Sequence, residues 1–316
     1  MDETLSPDPT GAEERRRAGY VALLGLPNVG KSTLMNALVG EKLSIVTPKA
    51  QTTWQRVTGI VTSEHAQMIF LDTPGLLEVR DLFQRSMLGA ALEAAEEADV
   101  ALLVLDGAHT GRSGWLEPAV RSALALTGAP LVAAINKVDV ADASRARELA
   151  VRVREELGGD PYLVSALTGE GIDELRGALE RALPESPFLY PEDEIASQPV
   201  RFFVAELVRE TVFEQYRQEI PYSVFCQVEE FREDQEPVYI GVTVYVERKS
   251  QQGILVGQGG HGIRTLGQAS RLKIQHFLGT PVYLDLWVKT LGGWRRKRGH
   301  LARLGFHVPE EDDAAR

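Results

Sequence analysis

Apolar positions fall into two kinds of pattern over the first 183 residues. Short unbroken apolar runs at 21–24, 60–62, 68–71, 100–105, 131–135 and 162–164 have strand length and end in polar or glycine-rich stretches. Between the later runs, 82–97, 116–126, 143–157 and 171–182 carry apolar residues at helical spacing. The segment 33–39 does the same after the first run and ends at Gly40. Strands that are apolar on both faces, separated by helices, predict an α/β unit with a mostly parallel sheet covered on both faces.

The pattern changes after residue 183. Residues 184–199, PESPFLYPEDEIASQP, contain four prolines and an acidic cluster, and predict a linker. A smaller α+β unit is predicted over 200–304. Its first helix, 201–216, places Phe202, Ala205, Val208, Val212 and Phe213 on one side. Alternating strands follow at 222–231 and 238–248, then a helix at 263–278, a strand at 282–288 and a basic final helix at 294–304. Residues 254–256 are expected to end a strand. Residues 1–18 predict a disordered extension, and 305–316 an acidic tail.

The bulk composition adds few constraints. At 316 residues, 44% hydrophobic and 25% charged, this is ordinary globular material, long enough for two domains. The single cysteine, Cys226, allows no internal disulfide, so a reducing, cytoplasmic setting is expected. No apolar run approaches the roughly 20 residues of a membrane helix. Charge is more informative. Residues 1–198 hold 18 Lys and Arg against 30 Asp and Glu, whereas 248–303 hold 11 against one. A basic block inside a chain of net charge −11 points to a polyanion on one face only.

Residues 25–32 read GLPNVGKS, which fits G-x-x-x-x-G-K-[ST], between the first strand and the first helix. Such a loop makes the first unit a P-loop NTPase. Glycines let backbone N–H groups face phosphates, and the helix N-terminus adds its positive dipole end. Asn28, Val29, Gly30, Lys31, Ser32 and Thr33 are the expected phosphate contacts, with Lys31 as point charge and Ser32 as a Mg2+ ligand. Asp72-Thr73-Pro74-Gly75 follows a strand. Asp72 would hold Mg2+, and Gly75 would offer its N–H to a γ-phosphate. In Asn136-Lys137-Val138-Asp139, the carboxylate of Asp139 can accept the two adjacent donors of guanine, which adenine lacks. Asn136 would tie this loop to the phosphate loop, and Lys137 would lay its stem on the base. Ser165, Ala166 and Leu167 follow another strand, where a backbone N–H can meet the guanine carbonyl.

The loop 48–53, PKAQTT, is expected to sense the γ-phosphate, with Thr53 favoured over Thr52 as the second hydroxyl on Mg2+. Leu76 stands where many GTPases carry a water-orienting glutamine, so unaided GTP hydrolysis to GDP and phosphate should be slow. A monovalent cation such as K+, held near Asn28, would supply charge at the β/γ bridge. In the second unit, Gly257-Gln258-Gly259-Gly260 is a G-x-x-G loop before a helix, with Ile254 and Val256 ahead of it. Lys249, Arg264, Arg271 and Lys273 surround it. Such a loop admits a single-stranded nucleic-acid backbone at close range.

Together, GLPNVGKS, KAQTT, DTPG followed by leucine, NKVD, SAL and ILVGQGG resemble the Era family over residues 18–306. The resemblance implies a GTPase with a C-terminal KH domain of type II. It implies binding to the 3′ end of 16S ribosomal RNA and help in maturing the 30S subunit. A cytoplasmic monomer is expected, with peripheral membrane association reported for some members. Trp54 departs from the arginine usual after the two threonines. Two other readings stay open: a GTPase whose second domain docks a protein or an anionic membrane, and a nucleotide binder without turnover.

Overall fold

The computed structural model describes residues 16–47, 49, 51–108 and 116–309. The extension at 1–15, Pro48 and Ala50 of the sensing loop, and the end of the acidic tail lie outside them.

β1 (Arg17–Leu24) leads through the glycine loop into α1 (Lys31–Val39), which stops at Gly40 in the left-handed region, φ 85°. β2 (Val57–Thr62) and β3 (Ala66–Asp72) form a hairpin. α2 (Leu82–Glu97) begins where the Asp81 carboxylate accepts from the Gln84 N–H at 2.8 Å. β4 (Val100–Asp106), α3 (Pro118–Leu126), β5 (Leu131–Asn136), α4 (Ala143–Leu157), β6 (Tyr162–Leu163) and α5 (Ile172–Ala182) complete the first unit. The sheet order is β2-β3-β1-β4-β5-β6. It is parallel except for β2, which pairs antiparallel with β3. Alternate residues of β1 feed two cores. Val21 and Leu23 pack with Leu34, Leu38, Leu175 and Leu179, while Ala22 and Leu24 pack with Ala91, Ala95, Val120 and Val153.

Several sequence expectations need correction. β1 begins at Arg17, inside the stretch expected to be disordered, because residues 17–20 pair with β3. The proline-rich stretch 184–199 is strapped to the sheet rather than free. The buried Gln67 side chain accepts from the Leu189 and Tyr190 N–H groups at 2.8 and 2.9 Å. The Ile195 carbonyl accepts from Ile60 N–H at 2.9 Å, which covers the outer edge of β2.

The second unit packs α6 (Val200–Gln215), the short α7 (Ile220–Ser223), α8 (Lys249–Val256) and α9 (His261–Leu278) on a three-stranded sheet. Its strands are β7 (Phe225–Arg232), β8 (Val238–Val246) and β9 (Val282–Thr290), in that order. β7 is antiparallel and β9 parallel to β8. Residues 254–256 are therefore not a strand end: they close α8, so the glycine loop joins two helices. Three apolar residues in a row, Ile254-Leu255-Val256, read as a strand, yet only Leu255 is buried. The final basic helix is broken at Lys297 into a 3-10 turn, Trp294–Arg296, and α10 (Arg298–Arg303).

Beyond the core of each unit, the two share a further apolar cluster. Trp54, Phe83 and Met87 come from the first unit, and Phe213, Tyr245, Trp294, Leu301 and Leu304 from the second. Phe306 and Val308, expected in the tail, are buried in it too. Trp294 is fully buried, 5.0 Å from the Phe83 ring and 5.9 Å from Trp54. Its indole N–H donates to the Ser223 carbonyl at 3.2 Å. Trp294→Ala should destabilise the protein by about 3–5 kcal/mol. Denaturant unfolding followed by circular dichroism checks this, and a loss near zero would show that the shared cluster is loosely packed.

Candidate functional site

The loop after β1 is shaped by contacts that exclude side chains. A Cβ on Gly25 would lie 2.5 Å from the Val104 carbonyl, and one on Gly30, at φ 95°, 2.3 Å from the Asn136 amide. Lys31 is 6% exposed and donates to the Gly25 and Leu26 carbonyls, both at 3.1 Å. Burial pulls its pKa down to about 8, partly opposed by Asp72. A cation held at a desolvated loop is matched to a polyphosphate, whose charge would restore its ordinary pKa.

Beside it, three oxygens from separate elements converge. The Ser32 hydroxyl donates to Asp72 Oδ2 at 2.7 Å and shares a 2.8 Å hydrogen bond with Thr53 Oγ1. Thr53 Oγ1 donates to the same carboxylate oxygen at 3.1 Å. Asp72 Oδ1 is buried with no partner among the described residues, and burial pushes the carboxyl up despite the opposing pull of Lys31 and the hydroxyls. An orphaned buried carboxylate oxygen among hydroxyls is a hard donor set that fits Mg2+. Thr53, the favoured threonine, stands in this cluster, while Thr52 contributes its carbonyl elsewhere. Gly75 lies against Pro27, where a Cβ would meet the proline nitrogen at 2.6 Å. Leu76 is fully buried in the core behind it.

The base-reading loops meet at Asn136, which is 2% exposed. Its amide donates to the Val29 carbonyl at 2.9 Å, and its oxygen accepts from Ala166 N–H at 3.0 Å. One side chain thus joins the phosphate loop to both loops expected to read guanine. Asp139 Oδ1 accepts from the Ser165 hydroxyl at 2.7 Å, and its carboxylate is exposed. Leu167 is 80% exposed at the rim. Lys137, at φ 67°, donates to the Asn28 carbonyl at 2.6 Å and pairs with Asp106 at 2.7 Å. Thr33 is partly buried at the start of α1, and Asn28 is exposed at φ 65°.

The second glycine loop separates α8 from α9. Gly257, Gly259 and Gly260 have φ of 70°, 57° and 76°, and a Cβ on Gly259 would meet nothing within 4 Å. Gln258 is exposed at the tip, Ile254 is 51% exposed, and Val256 is half-buried. Arg264 donates to the Gly259 and Gly260 carbonyls, the latter at 3.1 Å, so it braces the loop from below. Lys249 and Arg271 are exposed. Lys273 is instead engaged in a pair of salt bridges to Glu210 and Glu214 at 2.8 and 2.7 Å.

Sequence reasoning missed two groups. Asp106 holds Lys137, and the only signal was its place at a strand end. Arg209 and Lys49 tie the sensing loop to α6. Arg209 donates to the Thr52 carbonyl, and Lys49 to the Phe213 and Tyr216 carbonyls. More than 150 positions separate these partners, so no local pattern marks them.

Nucleotide binding should take up a proton above neutrality. Phosphates favour the charged form of Lys31, whose free pKa is about 8, so the unliganded protein loses that charge as pH rises. Affinity for GDP at pH 9 should be about tenfold weaker than at pH 7. Calorimetry in buffers of different ionisation enthalpy checks both; pH-independent affinity would mean that Lys31 carries no phosphate.

Comparison with known proteins agrees with this geometry. The "50S ribosome-binding GTPase" family profile matches residues 20–137, and the "KH domain" profile matches 219–295. GTPase Era of Carboxydothermus hydrogenoformans is 40% identical over 293 residues, covering 92% of this chain and 98% of that protein. GTPase Era of Desulfovibrio desulfuricans is 40% identical over 298 residues, covering 92% and 97%. Among solved structures, a variant of Aquifex aeolicus Era bound to GDP.AlF4- is 36% identical, with a TM-score of 0.84 over 92% of this chain and 99% of that one. An Era complex with MgGDPNP and nucleotides 1506–1542 of 16S ribosomal RNA is 35% identical, with the same TM-score and coverage. The chain belongs to the Era family of GTPases.

Proposed function

We propose that this chain is a GTP-hydrolysing switch that binds single-stranded 16S ribosomal RNA near its 3′ end and assists assembly of the 30S subunit. The observation that carries this reading is the pairing, in one chain, of the Asn136-centred nucleotide site with a bare glycine loop between α8 and α9. The Era complex with 16S nucleotides 1506–1542 supports the choice of RNA.

In this reading Gly30, Lys31, Ser32 and Thr33 grip the phosphates, with Val29 and Asn28 lining the approach. Asp139 accepts from the guanine edge, and the Ala166 N–H, already oriented by Asn136, stands beside Ser165 and Leu167 at the base carbonyl. Ser32, Asp72 and Thr53 would hold Mg2+, which when bound offsets charge on the transferred phosphoryl group. Gly75 is free of side-chain bulk against Pro27 and would present its N–H to the γ-phosphate. Buried Leu76 cannot orient water, so turnover without a partner is slow. Asn28, exposed at the mouth of the loop, would take part in holding K+. In the second unit Ile254, Val256 and the loop 257–260 would form the groove for bases, with Lys249, Arg264 and Arg271 near the backbone. Lys273 would join them only on leaving Glu210 and Glu214. The protein acts as a cytoplasmic monomer. Among the described residues no helix is long and apolar enough to cross a membrane, so any membrane contact would be peripheral.

Gly259→Asp tests the RNA half. The site has room for a side chain, and aspartate adopts the left-handed backbone at φ 57° more readily than most residues, so the fold should survive, while the carboxylate should weaken binding of a short single-stranded RNA about tenfold or more. Fluorescence anisotropy at two salt concentrations measures this, beside a GTPase assay expected to stay near the parent's. Unchanged RNA affinity would transfer the lead to protein or anionic-membrane docking. Asp139→Asn should shift preference from guanine towards xanthine, read by competition between GTP and XTP. Hydrolysis in KCl should exceed that in matched NaCl, and equal rates would remove the cation from the reading.

A further inference from the structure

Trp54, the residue that departs from the family pattern, follows Thr53 directly and packs in the aromatic cluster shared by the two units. It is 4% exposed, and its ring lies against Phe83 of the first unit at 5.0 Å and against aromatic rings of the second. Its ring lies 6.5 Å from Phe213 and 5.9 Å from Trp294, and its N–H closes on the Gln51 carbonyl at 2.9 Å. Above it sits the Arg209 guanidinium, 4.6 Å from the ring centroid. Arg209 is 2% exposed and is held flat by Glu206, with Nε to Oε1 at 2.7 Å and Nη2 to Oε2 at 2.6 Å. The same Nη2 donates to the Thr52 carbonyl. The guanidinium is thus pinned to α6 on one side and grips the residues before and after Thr53 on the other.

We propose that Arg209 is a positioning residue for GTP hydrolysis: from the second unit it fixes Thr52 and Trp54, and so sets where the Thr53 hydroxyl stands against Ser32 and Asp72. The inference rests on the reading of Thr53 as a metal-holding, γ-phosphate-sensing residue. With the carbonyl on one side and the ring on the other both anchored, Thr53 retains little freedom, and its Oγ1 stands 2.8 Å from Ser32 and 3.1 Å from Asp72. The arrangement is not explained by packing alone. Arg209 Nη1 is buried without a partner among the described residues, a cost that an apolar residue of similar size would avoid. Other ties between the same elements, Lys49 to Tyr216 at 2.5 Å and Lys42 to Glu210 at 2.8 Å, keep the loop near α6 when Arg209 is changed.

The test uses the full-length protein and the variants Arg209→Ala, Arg209→Lys, Glu206→Gln and Thr53→Ala. Single-turnover hydrolysis is measured beside binding of GDP and of a non-hydrolysable GTP analogue across a Mg2+ titration, with thermal melting as control. Arg209→Ala is expected to slow hydrolysis about tenfold. It should also raise the Mg2+ needed for half-maximal analogue binding several-fold and leave GDP affinity within about twofold. Arg209→Lys should recover part of the loss. Glu206→Gln, which loosens the guanidinium without removing it, should move the same readouts less far and decides the matter if Arg209→Ala does not fold. If Arg209→Ala and Glu206→Gln lower the melting point yet leave hydrolysis and Mg2+ dependence unchanged while Thr53→Ala impairs both, Arg209 is structural and the proposal is wrong. If Thr53→Ala impairs neither, the reading of Thr53 fails and the proposal falls with it.

Discussion

The Asn136 amide is the tie on which the nucleotide site depends. A side chain with one donor group and one acceptor oxygen, almost wholly enclosed, satisfies the Val29 carbonyl and the Ala166 N–H together. Three loops that leave different strands are thereby held in one frame. Buried polar groups are costly unless paired, so losing this side chain would strand a carbonyl and an N–H at once. Its close approach also explains Gly30, because any Cβ there would collide with the amide. The register Asp106 to Asn136 puts the next carboxylate alongside, where it takes Lys137.

Around that frame the chain buries charge in a way that suits a charged ligand. Lys31 and Asp72 are both desolvated, and each is shifted toward its neutral form, Lys31 down and Asp72 up. Loop carbonyls hold the ammonium, and two hydroxyls hold one carboxylate oxygen. A polyphosphate with a divalent cation would exchange these internal contacts for stronger ones. In the proposed switch, Thr53 would belong both to the site and to the loop that Lys49 and Arg209 tie to the second unit.

The shared aromatic cluster and α6 make the two units one mechanical object. Helix α6 receives Lys42, Lys49 and the Thr52 carbonyl from the sensing region, through Glu210, two terminal carbonyls and Arg209. Burial alone would raise the Glu210 carboxyl, but Lys273 and Lys42 bring it below its ordinary value. Lys273 comes from α9, the helix that begins at the second glycine loop. Lys42 of the first unit and Lys273 of α9 therefore meet on one helix, at the Glu210 carboxylate.

Much of this protein was legible in its sequence, because the signals involved are local. Apolar runs and helical spacing predicted all six strands of the first sheet with their intervening helices, since burial on both faces leaves a continuous apolar run. Gly25, Gly30, Lys31 and Ser32 stand at fixed spacing because the six-residue loop between β1 and α1 must aim its N–H groups at phosphate. Asn136, Asp139 and the Ser165 turn follow strand ends for the same reason. What the sequence misplaced was local too: Ile254-Leu255-Val256 looked like a strand because three apolar residues in a row carry no helical period. Only tertiary structure showed that Trp54 faces Phe213 and Trp294, that Arg209 holds Thr52, that the proline-rich stretch 184–199 is bonded to β2 and β3 through Leu189, Tyr190, Ile195 and Gln198, and that Phe306 is core. Each of these joins residues far apart in the chain, and their partners are chosen by the packing of two finished units rather than by any neighbour in sequence.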